Sequence, residues 1–467
     1  MDYIEPTPSS SKDPLPNGYR WYRELNRGHW FVLIVAALGW LFDTMDQQLF
    51  NIARVPAMRD LAYTDDPVAL KAFSNHYGGI ATAVFMIGWA SGGLIFGKLG
   101  DIYGRAKAMA WTILAYSLCT GLSAFSVTIW DFMAYRFLTG LGVGGEFAVG
   151  VALVAEVMPS RARPFALGFL QSLSAFGNIL AAILGIFLGR LEETGAIGDA
   201  WRWMFVVGAF PALLVLVIRR RLKEPDSWQK ARQEERNSGV ATAMQAGSYR
   251  ALFSTPTLRR NSIVGILMAF GGIVGLWGIG FFVFDLYDSV LRKSLSGQGL
   301  DATTIDGRVM MWKGIVSMMF NAGAFFGISA FAGMSQRLGR KPAFAICFVA
   351  AAASTILTFS QLDTFAEVFW MVPLMGFCQL SLFGGYAVYF PELFPTRLRS
   401  TGISFCYNVG RFVAAGGPFA LGLLTSQVYS DFPEPMRPAG ITMCAVFLIG
   451  LLAVPFAPET KDKPLPE

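Results

Sequence analysis

The sequence predicts an all-α membrane protein of twelve transmembrane helices, arranged as two pseudo-symmetric six-helix bundles. Three observations carry that prediction. Mean hydropathy is +0.47, with 54% hydrophobic and 15% charged residues over 467 positions, a balance outside the ordinary soluble range. Apolar runs of about 20 residues recur, long enough to cross a hydrocarbon core of about 30 Å. A short phrase is also written twice. Glu156-Val-Met-Pro159-Ser-Arg161-Ala-Arg163 returns in the second half as Glu392-Leu-Phe-Pro395-Thr-Arg397-Leu-Arg399, and Gly104-Arg105 returns as Gly339-Arg340. The two offsets agree to within a single position. Two loop matches on nearly one register mean two related halves, each of several membrane-spanning helices.

Residues 1–28 are polar and rich in Pro and Ser, with no apolar stretch ahead of a cleavage site. No removable leader is therefore expected, and the first span directs insertion. Continuous apolar runs predict spans at 29–49, 77–97, 107–127, 132–156, 164–189 and 201–218, which make up the first bundle, 29–218. Residues 219–260 form a cytoplasmic linker. It opens on Arg219-Arg220-Arg221-Leu-Lys223, and its charged run from Trp228 to Arg236 predicts a surface helix. Runs at 261–284, 311–333, 342–360, 366–390, 401–426 and 438–457 make up the second bundle, 261–457, and 458–467 is a second cytoplasmic tail. The runs are continuous rather than alternating, which argues against a β-barrel. Lys and Arg concentrate in the segments that are inner when the N-terminus is cytoplasmic, so both termini are placed inside an inner or plasma membrane. The outer loops are acidic, with Asp65-Asp66, Glu192-Glu193, Asp199, Asp301 and Asp306.

Composition removes several function classes. The pI near 9.0 follows from basic loops facing an anionic leaflet, so no nucleic-acid partner is called for. With only His29 and His76, no His-based metal cluster or triad is available, and no Walker sequence is present. An enzyme, a metal and a cofactor are therefore not expected. Cys119, Cys347, Cys378, Cys406 and Cys444 fall within predicted spans without ligand spacing and read as buried thiols. Gly140-Leu-Gly142-Val-Gly144-Gly145, Gly271-Gly272 and Gly416-Gly417-Pro418 lie within spans, where they permit close helix approach or bending.

Ionisable groups at membrane depth are costly and mark candidate functional positions. In the first span, Asp43 and Asp46 are three residues apart and share one helix face. Two carboxylates held together in low dielectric cannot both ionise easily, which suits a proton-carrying site; the alternative is a wetted structural pair near the outer end. The fourth span supplies Arg136, near its outer end and able to snorkel, and Glu146, close to the midplane. Glu146 reads as a proton acceptor or as half of a buried ion pair. Arg411 in the eleventh span cannot be neutralised and needs a carboxylate beside it. That carboxylate belongs either to a bound anion or to an acid such as Glu146 or Asp43. Gln171, Asn178, Trp277, Asn321, Gln379, Tyr386, Tyr407 and Asn408 are the polar and aromatic groups expected to line the same cavity, or to bond between helices.

These residues carry a family resemblance. Gly97-Lys-Leu-Gly100-Asp101-Ile-Tyr-Gly104-Arg105-Ala-Lys107 resembles the loop signature of the major facilitator superfamily, with a weaker copy at Gly333-Met-Ser-Gln336-Arg337-Leu-Gly339-Arg340-Lys341. Arg136-x-x-x-Gly140-x-Gly142 is similar to that family's fourth-span motif. The resemblance covers the whole chain. It implies that Asp101 and Arg105 latch the two halves, with Gly97, Gly104, Arg136, Glu156, Arg161, Arg163, Gly339, Arg340, Glu392, Arg397 and Arg399 serving the same device. Gln336 stands where the second copy would carry an acid, which implies a weaker latch there.

At subfamily level, Phe42-Asp43-x-x-Asp46 resembles the first span of proton symporters for aromatic acids and niacin. Gly144-Gly145-Glu146 with Ala155-Glu156-x-x-Pro159 is similar to lactate and pyruvate symporters. Pro391-Glu392-Leu-Phe-Pro395-Thr and Pro458-Glu459-Thr460-Lys461 also occur in sugar porters, although the seventh span, Gly271 to Phe284, lacks their paired glutamines. The resemblance thus implies a monomeric transporter whose partners are protons, a small organic anion and the bilayer. A sugar symporter, a proton-driven exporter of drugs or organic cations, and a non-transporting nutrient sensor remain the alternatives.

Overall fold

The computed structural model describes residues 19–64, 66–238, 246–296, 302–414 and 416–467. The N-terminal tail up to residue 18, and Asp65 and Asp301 of the acidic loops, lie outside the described residues. Every regular element among the described residues is helical. The first half comprises α1 (Arg27–Asp60), α2 (Pro67–Tyr103), α3 (Arg105–Ser123), α4 (Ile129–Val157), α5 (Arg163–Glu193), α6 (Ala200–Gly208), α7 (Ala212–Arg221) and α8 (Asp226–Ser238). The second comprises α9 (Pro256–Val274), α10 (Val283–Ser296), α11 (Ala302–Leu338), α12 (Arg340–Gln361), α13 (Phe365–Leu393), α14 (Arg399–Ala414), α15 (Gly417–Leu423), α16 (Met436–Met443) and α17 (Ala445–Ala453).

Among the described residues, ten helical stretches are long and apolar enough to cross a membrane. The two remaining spans expected from the sequence, 107–127 and 401–426, form as α3 and as α14 with α15. Where a span breaks, the sequence supplies the reason. α6 and α7 part before Pro211, which cannot donate a backbone N–H, and α15 opens just after Gly416 with Pro418 in its first turn. In the glycine-rich seventh span, α9 widens into a π-helical turn at Gly275–Ile279. Residues 226–238 of the linker form α8, and the Trp228 indole N–H donates to the Asp101 carbonyl at 2.8 Å.

By internal packing the chain divides into two compact units. One is Met1–Arg259 with Phe390–Asn408 and Asp462–Glu467; the other is Arg260–Tyr389 with Val409–Lys461. Inside each unit the same helix pair is drawn together by glycines. In the first, Gly88 and Gly92 of α2 abut the backbone of Phe137 and Leu141, and Gly140 of α4 abuts that of Phe85. In the second, Gly323 and Gly327 of α11 abut Pro373 and Phe377, and Gly376 of α13 abuts Phe320. Each of these glycines is displaced from its counterpart by the offset that separates the loop phrases. The repeat is therefore built into the packing as well as the loops, and small residues do the work that apolar burial cannot do between helices in lipid.

A methyl group on Gly144 would overlap the Trp89 carbonyl oxygen and force α2 and α4 apart, whereas one on Gly150 meets nothing within 4 Å. Gly144→Ala is expected to lose about 1–3 kcal/mol to overpacking, read as a lower thermal unfolding midpoint in detergent, with Gly150→Ala unchanged. Equal midpoints for the two variants would show that α2 and α4 are free to separate.

Candidate functional site

The candidate groups fall in the two units separately. In the first, α1, α3, α4 and α6 surround a buried polar core. Asp46 of α1 is fully buried; its Oδ1 accepts from Thr120 Oγ1 at 2.6 Å, and its Oδ2 lies 3.7 Å from Arg136 Nη1. Arg136, expected from the sequence to snorkel, is instead wholly buried. Its guanidinium donates to Ser123 Oγ and Thr139 Oγ1 and lies 4.6 Å from the Phe205 ring centre, with Phe50 and Phe132 also beside it. Arg136 and Asp46 thus form a loose buried ion pair caged by aromatic faces, an arrangement that weakens rather than cancels the charge. Arg136 stands apart from the loop residues with which the resemblance grouped it. Asp43, one turn earlier in α1, is 1% exposed.

Glu146 of α4 is also buried, and Gly39 of α1 makes room for it: a Cβ there would strike the Glu146 carboxyl. Thr112 Oγ1 lies 2.7 Å from Glu146 Oε2 and 2.8 Å from the Met109 carbonyl. One hydroxyl proton cannot serve both acceptors. Both contacts are full hydrogen bonds only when Glu146 carries a proton and donates it to Thr112. Gln171 of α5 is buried with its side-chain oxygen unpartnered, Asn178 is half-buried, and Tyr407 stacks on Phe147 at 4.2 Å. Asn408 donates to the Ser404 carbonyl at 2.9 Å and packs over Gly93.

The loop residues form a second cluster in the first unit. Arg105 Nη2 and Arg399 Nη1 both donate to a single oxygen, Glu156 Oε1, at 2.9 and 2.7 Å. Asp101 lies 3.1 Å from Arg105 and accepts from the backbone N–H groups of Ser400 and Thr401 and from the Thr401 hydroxyl. It therefore caps the N-terminus of α14 from the end of α2, where a carboxylate is stabilised by the positive end of the helix dipole. Gly97 lies against Ser404, Arg163 donates to the Met158 carbonyl, and the Arg397 carbonyl accepts from Gly247 N–H. Arg161 lies in the turn between α4 and α5.

In the second unit Arg340 repeats part of this geometry. Its Nη1 donates to the Ser335 carbonyl at 3.1 Å, as Arg105 Nη1 does to Gly100 at 2.8 Å. Glu392, which by sequence pairs with Glu156, is only slightly exposed and belongs to the first unit by packing. Gln379 donates to Thr355 Oγ1 at 2.7 Å, Tyr386 donates to the Met268 carbonyl at 2.7 Å, and Asn321 donates to the Ser317 carbonyl at 2.8 Å. Trp277 sits half-buried in the π-helical turn, and Arg411 near the end of α14 is 3% exposed.

Sequence reasoning misses one pair. Glu224 and Glu459 are separated by the same offset as Gly104 and Gly339, on the register of the repeat. Each places its carboxylate where a Cβ of a glycine would stand, Gly104 (φ +113°) and Gly339 (φ +98°), and each caps the helix that follows. Glu224 accepts from Ala106 and Lys107 N–H, and Glu459 from Arg340 and Lys341 N–H. Burial pushes the Glu224 carboxyl above its ordinary value despite those bonds. Burial acts the same way on Glu459, but the N–H groups of Arg340, Lys461 and Lys341 with the Arg340 charge together hold it below. Thr112, Tyr116 and Thr120 of α3 also escape it, since hydroxyls on an apolar helix read as filler.

A family model described as "Sugar (and other) transporter" matches residues 42–467. The niacin transporter NiaP of Acinetobacter baylyi is 28% identical over 418 residues, covering 85% of this chain and 87% of that protein. The benzoate transport protein of the same organism is 24% identical over 435 residues, covering 90% and 89%. Among solved structures, the proton:xylose symporter XylE superposes with a TM-score of 0.70 at 17% identity, covering 94% of this chain and 97% of that one.

Proposed function

We propose that this chain, which belongs to the sugar (and other) transporter family of the major facilitator superfamily, carries a small organic anion across the membrane together with a proton. It is an integral membrane transporter and not an enzyme. The observation that carries the proton-coupled reading is the buried Asp46–Arg136 pair, held at 3.7 Å by Thr120, Ser123 and Thr139. A proton on Asp46 removes the carboxylate charge that faces Arg136, so the two protonation states favour different local arrangements. That is the two-state element a coupled carrier needs. Glu146 is the second proton-carrying carboxyl, and Asp43 belongs to the same set.

The substrate class is supported by relatives named for niacin and benzoate, both aromatic monocarboxylic acids. Arg411 is the proposed counter-charge for the carboxylate, because a guanidinium stays charged and its fork fits two carboxylate oxygens. Gln171, Asn178, Trp277, Asn321, Gln379, Tyr386, Tyr407 and Asn408 are the proposed lining. The loop cluster around Asp101, Arg105, Glu156 and Arg399 is the proposed latch of an alternating-access cycle, worked by a monomer in the cell membrane with both termini cytoplasmic.

One measurement tests the reading. In proteoliposomes, labelled nicotinate and benzoate should accumulate about tenfold per unit of inward pH gradient at one-to-one stoichiometry and collapse with a protonophore. Because proton and anion charges cancel, a potassium diffusion potential should leave the uptake unchanged. Glucose uptake that follows the diffusion potential would favour a sugar symporter, the reading supported by the family's description and the likeness to XylE. Uptake of the acids that ignores the pH gradient would remove the proton.

A further inference from the structure

The geometry points to a proton relay along one face of α3, in which Thr120, Tyr116 and Thr112 connect Asp46 with Glu146. The inference rests on the proton-coupled reading above and adds the route between its two carboxyls. The three residues are spaced four apart, so they stack on a single helix face with Thr112 and Thr120 about 12 Å apart along the axis. Thr120 Oγ1 sits 2.6 Å from Asp46 at one end, and Thr112 Oγ1 sits 2.7 Å from Glu146 at the other. Tyr116 stands midway and is fully buried, and its hydroxyl and the neighbouring Ser117 hydroxyl make no hydrogen bond of good geometry. The Tyr116 hydroxyl lies in electrostatic reach of Glu146, Asp43 and Asp46.

The neighbouring Ser117 side chain is the polar group beside the Tyr116 hydroxyl, which leaves that hydroxyl able to take up a further partner in turn. Gly142 supports the placement, because a side chain there would strike the Tyr116 backbone and hold α3 off α4. The Glu146 oxygen that receives the proton is Oε2, the one Thr112 touches at 2.7 Å.

The step balances. Asp46 gives its proton to Thr120, each hydroxyl takes one proton and releases one, directly or through a single water, and Glu146 receives the last. No hydroxyl changes charge, and Asp46 returns to its pair with Arg136. The other charged and titratable groups around the path are Asp43 on α1, Arg136 on α4 and Cys119 on α3, the last in electrostatic reach of both Arg136 and Asp46.

The test needs no substrate. After a rapid pH jump on the full-length protein in nanodiscs, infrared carboxyl bands are assigned by their loss in Asp46→Asn and Glu146→Gln. Tyr116→Phe should slow the Glu146 band by about a hundredfold and leave its final amplitude and the Asp46 band unchanged. Thr120→Val should slow the Glu146 band as much while shifting the Asp46 band, whose bond from Thr120 it removes, and Thr120→Ser should restore both. A merely structural role would alter amplitude and not rate. If Tyr116→Phe fails to fold, Thr120→Val decides alone. Glu146 protonating at the wild-type rate in these variants would overturn the relay and leave the coupling intact. If neither carboxyl changes protonation after the jump, the proton-coupled reading fails and the relay with it.

Discussion

Replacing Asp46 by Asn is expected to abolish proton-driven accumulation while leaving substrate exchange in place. Asparagine keeps the shape of the side chain and an oxygen able to accept from Thr120, which donates to Asp46 at 2.6 Å. It cannot carry a proton or a charge, so it freezes the position in the state a protonated Asp46 would have. Wild-type protein under a gradient of one pH unit should reach about tenfold accumulation at one-to-one stoichiometry; the variant should stay at equilibrium with the medium. Counterflow, in which labelled substrate exchanges for unlabelled with no net proton movement, should persist, because that half-cycle does not require Asp46 to titrate. Arg136 loses its carboxylate in the variant, and removing one partner of a buried pair costs about 3–5 kcal/mol when nothing replaces it. Here the Phe205, Phe50 and Phe132 rings and the Ser123 and Thr139 hydroxyls remain around the guanidinium, which should hold the loss toward the lower end. Undiminished pH-driven accumulation in Asp46→Asn would place coupling elsewhere, with Glu146 the next residue to replace.

What is legible in the sequence and what is not divides along a physical line. The repeat is legible because its loops place charges and glycines at fixed offsets: Gly104 and Gly339 must adopt positive φ, and Arg105 and Arg340 must reach back to a carbonyl five residues earlier. Local geometry of that kind is written in adjacent letters. Glu224 and Glu459 obey the same register, but Pro458-Glu459-Thr460-Lys461 is legible only as a family phrase and Glu224 has no matching phrase around it, so nothing in adjacent letters ties either acid to its distant glycine. The partner of Arg136 is not legible. Whether it meets Asp46, another acid or the headgroups depends on how α1 and α4 are rotated against each other, and no one-dimensional pattern fixes that rotation. Tyr386 and Asn408 illustrate the same limit from the other side. Both are candidates by polarity alone, and each makes a hydrogen bond inside its own unit, to Met268 and to Ser404. Polarity says that a buried group needs a partner; it does not say whether the partner is the protein or a ligand.

Glu156→Ala is expected to be the most destabilising single change in the loop cluster. The side chains of Asp101, Arg105 and Glu156 are fully buried and that of Arg399 is 1% exposed. Asp101 and Glu156 face Arg105 and Arg399, with Glu224 also in electrostatic reach of Arg105, and Glu156 Oε1 alone receives both guanidiniums. Its removal takes away the one carboxylate that bonds both arginines, leaving Asp101 and Glu224 to act on Arg105 and no carboxylate bonded to Arg399 in its place. Breaking a buried pair in this way costs about 3–5 kcal/mol. The backbone contacts that remain, Arg105 to the Gly100 and Thr396 carbonyls and Arg399 to the Pro391 and Pro466 carbonyls, satisfy hydrogen bonds without supplying charge. Thermal unfolding in detergent should therefore show a large drop for Glu156→Ala and a smaller one for Glu156→Gln, which keeps an acceptor oxygen. The decisive comparison is the double variant Glu156→Gln with Arg399→Gln. It takes out one charge of each sign, leaves the net charge of the cluster unchanged, and should be more stable than the sum of its parts predicts. Strict additivity would mean that the cluster is held by its hydrogen bonds and not its charges. The Gln336 position in the second copy, which has already lost its acid, would then need no compensation at all.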